Sequence, residues 1–365
     1  MQKLQDVLNP NDNNFNAIRL IAAATVVVGH ASIVVTGDKI FFPFLNLQGF
    51  DVGGYAVNIF FVLSGLVITA SLDRSKDLVR FAMARFMRLI PAVVAYTIFA
   101  AFVIGPLFTT MPLGSYFLDS RLSLFIIKTI GALSSYGGLP GVFADMPDNG
   151  RLNVSMWTIK YEIVCYVGVA CLGMAGMLKS SKRIALVLAA FAVVTAVIFM
   201  RYPDAMIDEG MPGHIVRFGT CFLLGVCAYH WRARILLTGW IMFPLLAALL
   251  LPFPAPCRLF VEYGVLGYAT LYIGSLPMPV LRDLCNRYDL SYGTYIYGWL
   301  WLVLVATVIP GLSTFGLAAI ALVCTLAMAS LSWHFVERPA LSMFKKHRTG
   351  APVAAARDRG ARLSA

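Results

Sequence analysis

The feature that most limits this chain is a series of unbroken apolar runs, each about 18–22 residues long, that recur along the 365 residues. A run of that length matches the hydrocarbon core of a bilayer, which about 20 helical residues span. The runs are continuous rather than alternating, which excludes a membrane barrel built from ~10-residue segments. Composition agrees: 59% of residues are hydrophobic and 13% charged, and the mean hydropathy is +0.77. A water-soluble globule carries about a quarter charged residues and could not cover this much apolar surface. The expected fold class is all-α, a polytopic transmembrane helical bundle.

Ten spans are expected, near 16–36, 54–72, 86–107, 155–178, 183–200, 212–231, 235–251, 257–276, 289–309 and 313–335. The stretch 121–135 is short and holds Arg121 and Lys128, so it reads as interfacial or re-entrant. With the N-terminus inside, the inner segments hold 21 of the 29 Lys and Arg residues and the outer loops 6. That asymmetry predicts both termini cytoplasmic. It also accounts for the net charge of +11 as a topology signal, with no nucleic acid as partner. Residues 1–15 are polar and lead into a full span, so no cleavable signal peptide is expected. Residues 1–340 read as one transmembrane domain and 341–365 as a basic, disordered tail able to touch anionic lipid. The seven cysteines follow neither a disulfide nor a metal spacing, and no metal site is expected.

Ionisable groups inside a bilayer are costly and mark function by default. Arg19 and His30 of span 1 are eleven residues apart, which leaves them about 20° apart around a helix and ~16 Å apart along it. His30, Glu162 of span 4 and Arg217 of span 6 are each expected ~8–10 Å below the outer surface. Three groups at one depth can converge. A carboxylate beside a histidine orients it and favours general-base work, and an arginine can hold an oxyanion or a sugar hydroxyl. Arg85 and Arg88, spaced i,i+3 at the expected start of span 3, form a cationic patch with Arg74, Lys76 and Arg80. Such a patch suits a polyphosphate, although basic clusters also arise from topology alone. Ser64 and Gly65 read as a close helix contact, Trp157 as an interfacial aromatic, and Asn153-Val-Ser155 as a chance glycosylation sequon. His334, Glu337 and Arg338 read as a local charge cluster.

Several segments in order resemble the membrane acyltransferase-3 family of integral-membrane O-acyltransferases. Phe15-Asn-Ala-Ile-Arg19 with Gly29-His30 resembles its Arg-x10-His helix, and Phe60-Phe-Val-Leu-Ser-Gly-Leu-Val-Ile-Thr69 its Phe-Phe-x-x-Ser-Gly signature. Arg85-x-x-Arg88, Leu139-Pro-Gly-Val-Phe143, Trp157-Thr-Ile-Lys-Tyr-Glu162 and Arg217-Phe218 up to Gly225 are similar to further family segments. So are Ser291-Tyr-Gly-Thr-Tyr-Ile-Tyr-Gly298 and Phe335-Val-Glu-Arg-Pro339. The chain departs from the pattern at Gly298, where many members have histidine, and at Asn153-Val-Ser-Met156.

The resemblance implies transfer of an acyl group, acetyl as a rule, from cytosolic acetyl-CoA to a hydroxyl across the bacterial inner membrane. The acceptor would be a cell-surface glycan or a lipid-linked sugar. It implies His30 as the reactive residue. On this reading Glu162 supports His30, Arg19, Arg85 and Arg88 hold the donor, and Arg217, Trp157 and Ser64 meet substrate. Two other readings fit the buried charges: a transporter or flippase for a lipid-linked sugar or small anion, and a non-catalytic membrane sensor.

Overall fold

The computed structural model describes residues 2–40, 50–75, 77–133, 137–144, 146, 150–202 and 210–349. Apart from the antiparallel pair β1 (Gln2–Lys3) and β2 (Leu236–Leu237), and one isolated bridge between Thr109 and Val142, the described residues are helical or irregular. A lipid-facing backbone must satisfy its own hydrogen bonds, which helices do within one segment.

Among the described residues, eight helices are long and apolar enough to cross a membrane. They are α1 (Phe15–Thr36), α2 (Val52–Ser75), α3 (Leu78–Phe108), then, after the short α4 (Ser120–Ala132), α5 (Ser155–Met174), α6 (Ser181–Arg201) and α7 (Met211–His230). After α8 (Gly239–Ala248), α9 (Ala255–Gly274) and α10 (Pro279–Arg287) come α11 (Ser291–Val308) and α12 (Thr314–Met343). The α12 helix includes a π-turn at Trp333–Glu337, and helical backbone continues from it to Thr349. Residues 341–349 of the expected tail are therefore helical; 350–365 lie outside the described residues.

Two expected spans differ. The run 235–251 yields only the ten-residue α8, because Leu236–Leu237 pairs with β1 and a turn over Leu249–Leu251 leads into Pro252. The helix pair of Cys257–Gly274 and α10 bends by 96°, with Pro277 and Pro279 at the break. Within the expected 121–135 stretch, residues up to Ala132 belong to α4, thirteen residues long and capped by Asp119, whose carboxylate accepts from Arg121 N–H, while residues 134 and 135 lie outside the described residues.

The helices sort by burial. Within the 18-residue apolar stretch of each helix, buried residues make up 78% in α11 and 67% in α2, but 11% in α6, whose stretch has a mean hydropathy of 2.5, the highest of the eight. Thus α2 and α11 form the protein core, while α6 faces lipid. At the α2–α7 crossing a Cβ on Gly65 would stand 2.0 Å from Phe222 O, and one on Gly225 would stand 2.1 Å from Val62 O. Only glycines permit this approach. The polar N-terminal stretch folds back on the bundle: Leu4 and Val7 are fully buried against Phe15, Ile18, Leu63, Leu66 and Leu271.

Candidate active site

A cavity of about 1050 Å³ lies among α1, α2, α3, α5, α11 and α12. Its α2 wall is a helical stripe from Ser75, Ser71, Ile68 and Ser64 to Phe60 and Val57. Over those 18 positions the wall rises about 27 Å. One end is cationic, with Arg19, Arg74, Arg80, Arg85 and Arg88, whereas the other is lined by Val57, Phe60, Phe61, Ile159 and Tyr295.

The arginines differ in what already binds them. The α3 helix begins at Leu78, where Asp77 accepts from Val79 and Arg80 N–H. Arg85 and Arg88 therefore sit two to three turns inside it rather than at its start. They share the cavity face, as their spacing predicts. Arg88, however, is committed: its guanidinium lies 2.7 Å from Asp289 Oδ2, 3.7 Å from Glu337 Oε2 and 5.6 Å from the Tyr292 ring centre. Glu337 also accepts from Ser332 Oγ at 3.1 Å. Glu337 is thus the buried partner of a cation on α3, not part of a local cluster. Burial pushes the Asp289 carboxyl up, but Arg88, Arg19 and the Ser291 hydroxyl outweigh it and hold it below the usual carboxylate range. Arg85 is the opposite case. Its Nε is buried without a hydrogen-bond partner, within electrostatic reach of Arg19, Glu162 and Tyr166.

Glu162 lines the cavity, accepts a short hydrogen bond from Tyr166 and lies 3.5 Å from Ser64 Oγ. Ser64 thus meets Glu162 as well as backing the glycine crossing. Arg217 meets α2 elsewhere: its Nε donates to Asn58 Oδ1 and its Nη2 to Gly54 O, each at 2.7 Å, with its guanidinium 3.8 Å from the Phe50 ring centre. Trp157 packs on His214 at 4.5 Å and on Phe218 at 5.6 Å, beside Arg217.

His30 follows Gly29, whose missing Cβ would lie 3.3 Å from Gly53 N. Its ring meets Trp299 edge-on at 5.2 Å. The two helices meet closely there: a Cβ on Gly298 would be 2.5 Å from Val27 Cγ2.

These contacts correct the expectation of one shared depth. Taking α2 as a ruler, His30 and Arg217 lie level with Gly53–Asn58, but Glu162 lies level with Ser64, about 16 Å further along than Gly53. Glu162 thus shares the level of Arg19, eleven residues from His30 on α1. The depth estimate failed because it counted from helix starts, and α5 begins with the 3₁₀ turn Ser155–Thr158, set beneath α11 by Tyr295. The structure gathers Arg19, Ser64, Arg85, Arg88 and Glu162 around one cavity. His30, Trp157 and Arg217 are not among its lining residues.

Sequence reasoning missed Tyr166 and Asp289. The i,i+4 spacing of Glu162 and Tyr166 was a usable signal; Asp289, 201 residues from Arg88, gave none. The sequon is structural: Asn153 is buried, donates to Ile296 O at 2.7 Å and accepts from Ser155 and Met156 N–H.

Residues 12–334 match the family model described as an acyltransferase domain. The chain is 26% identical over 340 residues to an O-acetyl transferase of Shigella phage Sf6, covering 89% of this chain and 95% of that one. It is 27% identical over 359 residues to nodulation protein 10 of Rhizobium leguminosarum bv. viciae, covering 91% and 94%. No solved structure matches the chain. A membrane-embedded helical bundle with this match across nearly its whole length is an O-acyltransferase. The chain belongs to the acyltransferase-3 family.

Proposed function

We propose that the protein takes acetyl-CoA from the cytosolic side of the bacterial inner membrane. It moves the acetyl group to a hydroxyl of a cell-surface glycan or lipid-linked sugar on the other side. The observation that carries this reading is the cavity itself, which is rich in arginine at one end and runs along α2 to an end lined by aromatic and aliphatic side chains. The phosphates of the donor meet Arg85, with Arg19, Arg74 and Arg80 around them, since charge-assisted bonds to guanidinium are strong and directional. The pantetheine arm follows the α2 stripe toward Phe60. Glu162 and Ser64, halfway along, accept and donate hydrogen bonds to its amides. Glu162 therefore serves the donor rather than the imidazole.

His30 is the reactive group at the far end, with Arg217 and Trp157 meeting the acceptor. In the net reaction the acceptor oxygen bonds to the acyl carbon, the C–S bond breaks, and the hydroxyl proton ends on the CoA thiol. Two routes through His30 satisfy that balance. In one the imidazole takes the hydroxyl proton and passes it to the thiolate. In the other it is acylated first and the acceptor then removes the acyl group. That an O-acetyl transferase and a nodulation protein are similar along almost their full length supports an external hydroxyl acceptor.

The test is CoA release from radiolabelled acetyl-CoA by the purified chain and by His30→Ala, with label followed into membrane glycan. Loss of transfer with retained donor binding is expected for the variant. Full transfer by His30→Ala would remove His30 from the chemistry.

A further inference from the structure

Two helices independently measure the gap between the cavity and His30. On α2 the last lining residue is Val57, one turn from Gly53, where α1 packs at Gly29. On α11 the last lining residue is Tyr295, one turn before Trp299, on which the His30 ring rests. One turn is about 5.4 Å, so both place His30 a single turn past the end lined by Val57 and Tyr295.

That turn is occupied by aromatic side chains. Phe60 meets Tyr295 with ring centres 5.6 Å apart and planes at 62°. Helical side chains lean toward the N-terminus, so the Phe60 ring covers the Val57 level, on the His30 side of its own Cα. The members of this barrier are not equally held. The Tyr295 hydroxyl is fixed, 2.7 Å from Thr158 Oγ1 and donating to Ser155 O at 2.8 Å. Phe61 is pinned by stacking on Phe218 at 4.2 Å, and Trp299 is fully buried and donates to Arg151 O at 2.7 Å. Phe60 is half-buried and has no polar atom to tether it.

We infer that Phe60, closing against the fixed Tyr295 ring, is the acyl-selecting partition of this enzyme. Its swing admits a two-carbon acyl thioester to the His30 end and excludes longer chains. Closed, it keeps water from the thioester while no acceptor is bound. The inference rests on the donor reading above and adds to it the residue that sets acyl length.

The experiment compares acetyl-CoA with butyryl-CoA, with and without membrane glycan acceptor, for the full-length chain in lipid nanodiscs. CoA release and acyl transfer are both read. Removing the ring in Phe60→Ala is expected to raise the butyryl-to-acetyl ratio of kcat/KM about tenfold or more, the scale on which an apolar site discriminates one or two methylenes. It is also expected to raise acceptor-independent CoA release, in which water takes the acyl group and leaves carboxylic acid and CoA thiol. Enlarging the ring in Phe60→Trp is expected to lower the ratio, and this variant decides the matter if Phe60→Ala does not fold. A ratio unchanged within about twofold in the folded variants, with the parent active, overturns the partition alone. A parent that releases no CoA from acetyl-CoA overturns the donor reading, and the partition with it.

Discussion

Among single residues, the informative contrast is between the two arginines of the Arg85-x-x-Arg88 motif. Their shared face was legible from an i,i+3 spacing. Their division of labour was not, because the carboxylates that neutralise Arg88 come from the α10–α11 connection and from α12, remote in sequence. Arg85→Ala is expected to raise the KM for acyl-CoA about tenfold or more with a smaller change in kcat, since a bond to a charged group contributes about 1.5–3 kcal/mol. The difference between parent and variant should shrink as salt rises. Donor titration at two ionic strengths checks it, and an unchanged affinity would assign the charge to topology. Arg88→Ala is expected to act on stability, since it strands the buried Glu337 and the partly buried Asp289; breaking a buried pair costs about 3–5 kcal/mol.

The same pair gives a pH dependence. The Asp289 carboxyl is held below its ordinary range in the folded chain, so its stabilising contribution is present above the unfolded carboxylate value and is lost as pH falls through the folded one. Thermal unfolding of the parent should therefore weaken on the acid side, and Arg88→Ala should flatten that limb. A parallel acid limb in the variant would separate Asp289 from the effect.

At the scale of elements, the long apolar runs announced eight of the helices well, because length and hydropathy are local properties. They misjudged α8, whose run is apolar enough but is cut by strand pairing with the N-terminus and by Pro252, the paired residues lying 233 and 235 positions apart. Ser64-Gly65 was read as a close helix contact, and the Gly65–Gly225 crossing is that contact. Gly225→Ala forces a Cβ to within 2.1 Å of backbone oxygen, which a side-chain rotation cannot relieve. It is expected to destabilise by at least about 1–3 kcal/mol through overpacking. Gly168→Ala in α5, with nothing within 4 Å of its added methyl, is expected to be neutral or to gain up to about 1 kcal/mol from helix propensity. Thermal melts of the two variants in one detergent compare them; equal melting points would mean that the crossing is looser than its geometry.

For the whole molecule, the ends of the helices fix how often the chain traverses the bundle. The α7 helix ends where Tyr229 bonds Asp73, near the cationic mouth, and β2 pairs there with the N-terminal strand. Yet α9 starts at the opposite end, where Glu262, paired with Arg258 at 3.0 Å, accepts from Tyr55 near the beginning of α2. It finishes back at the mouth end, with Gly274 against Phe15 and its carbonyl accepting from Asn14. Residues 239–254 must therefore cover the bundle's depth. The ten helical residues of α8 give about 15 Å of that path, and the turn over Leu249–Leu251 with the segment up to Pro254 supplies the rest. Ten crossings are then expected, eight of them the long apolar helices found among the described residues, and the start of α1 and the end of α12 border one cavity. Epitope tags at the two termini are expected to be reached by antibody from the same side, in inside-out vesicles. A tag between Leu251 and Pro254 should be reached only in right-side-out ones. A 251–254 tag exposed together with the termini would make α8 a re-entrant hairpin, leave α9 without a way in, and break the placement of Glu262 beside Tyr55 on which this topology depends.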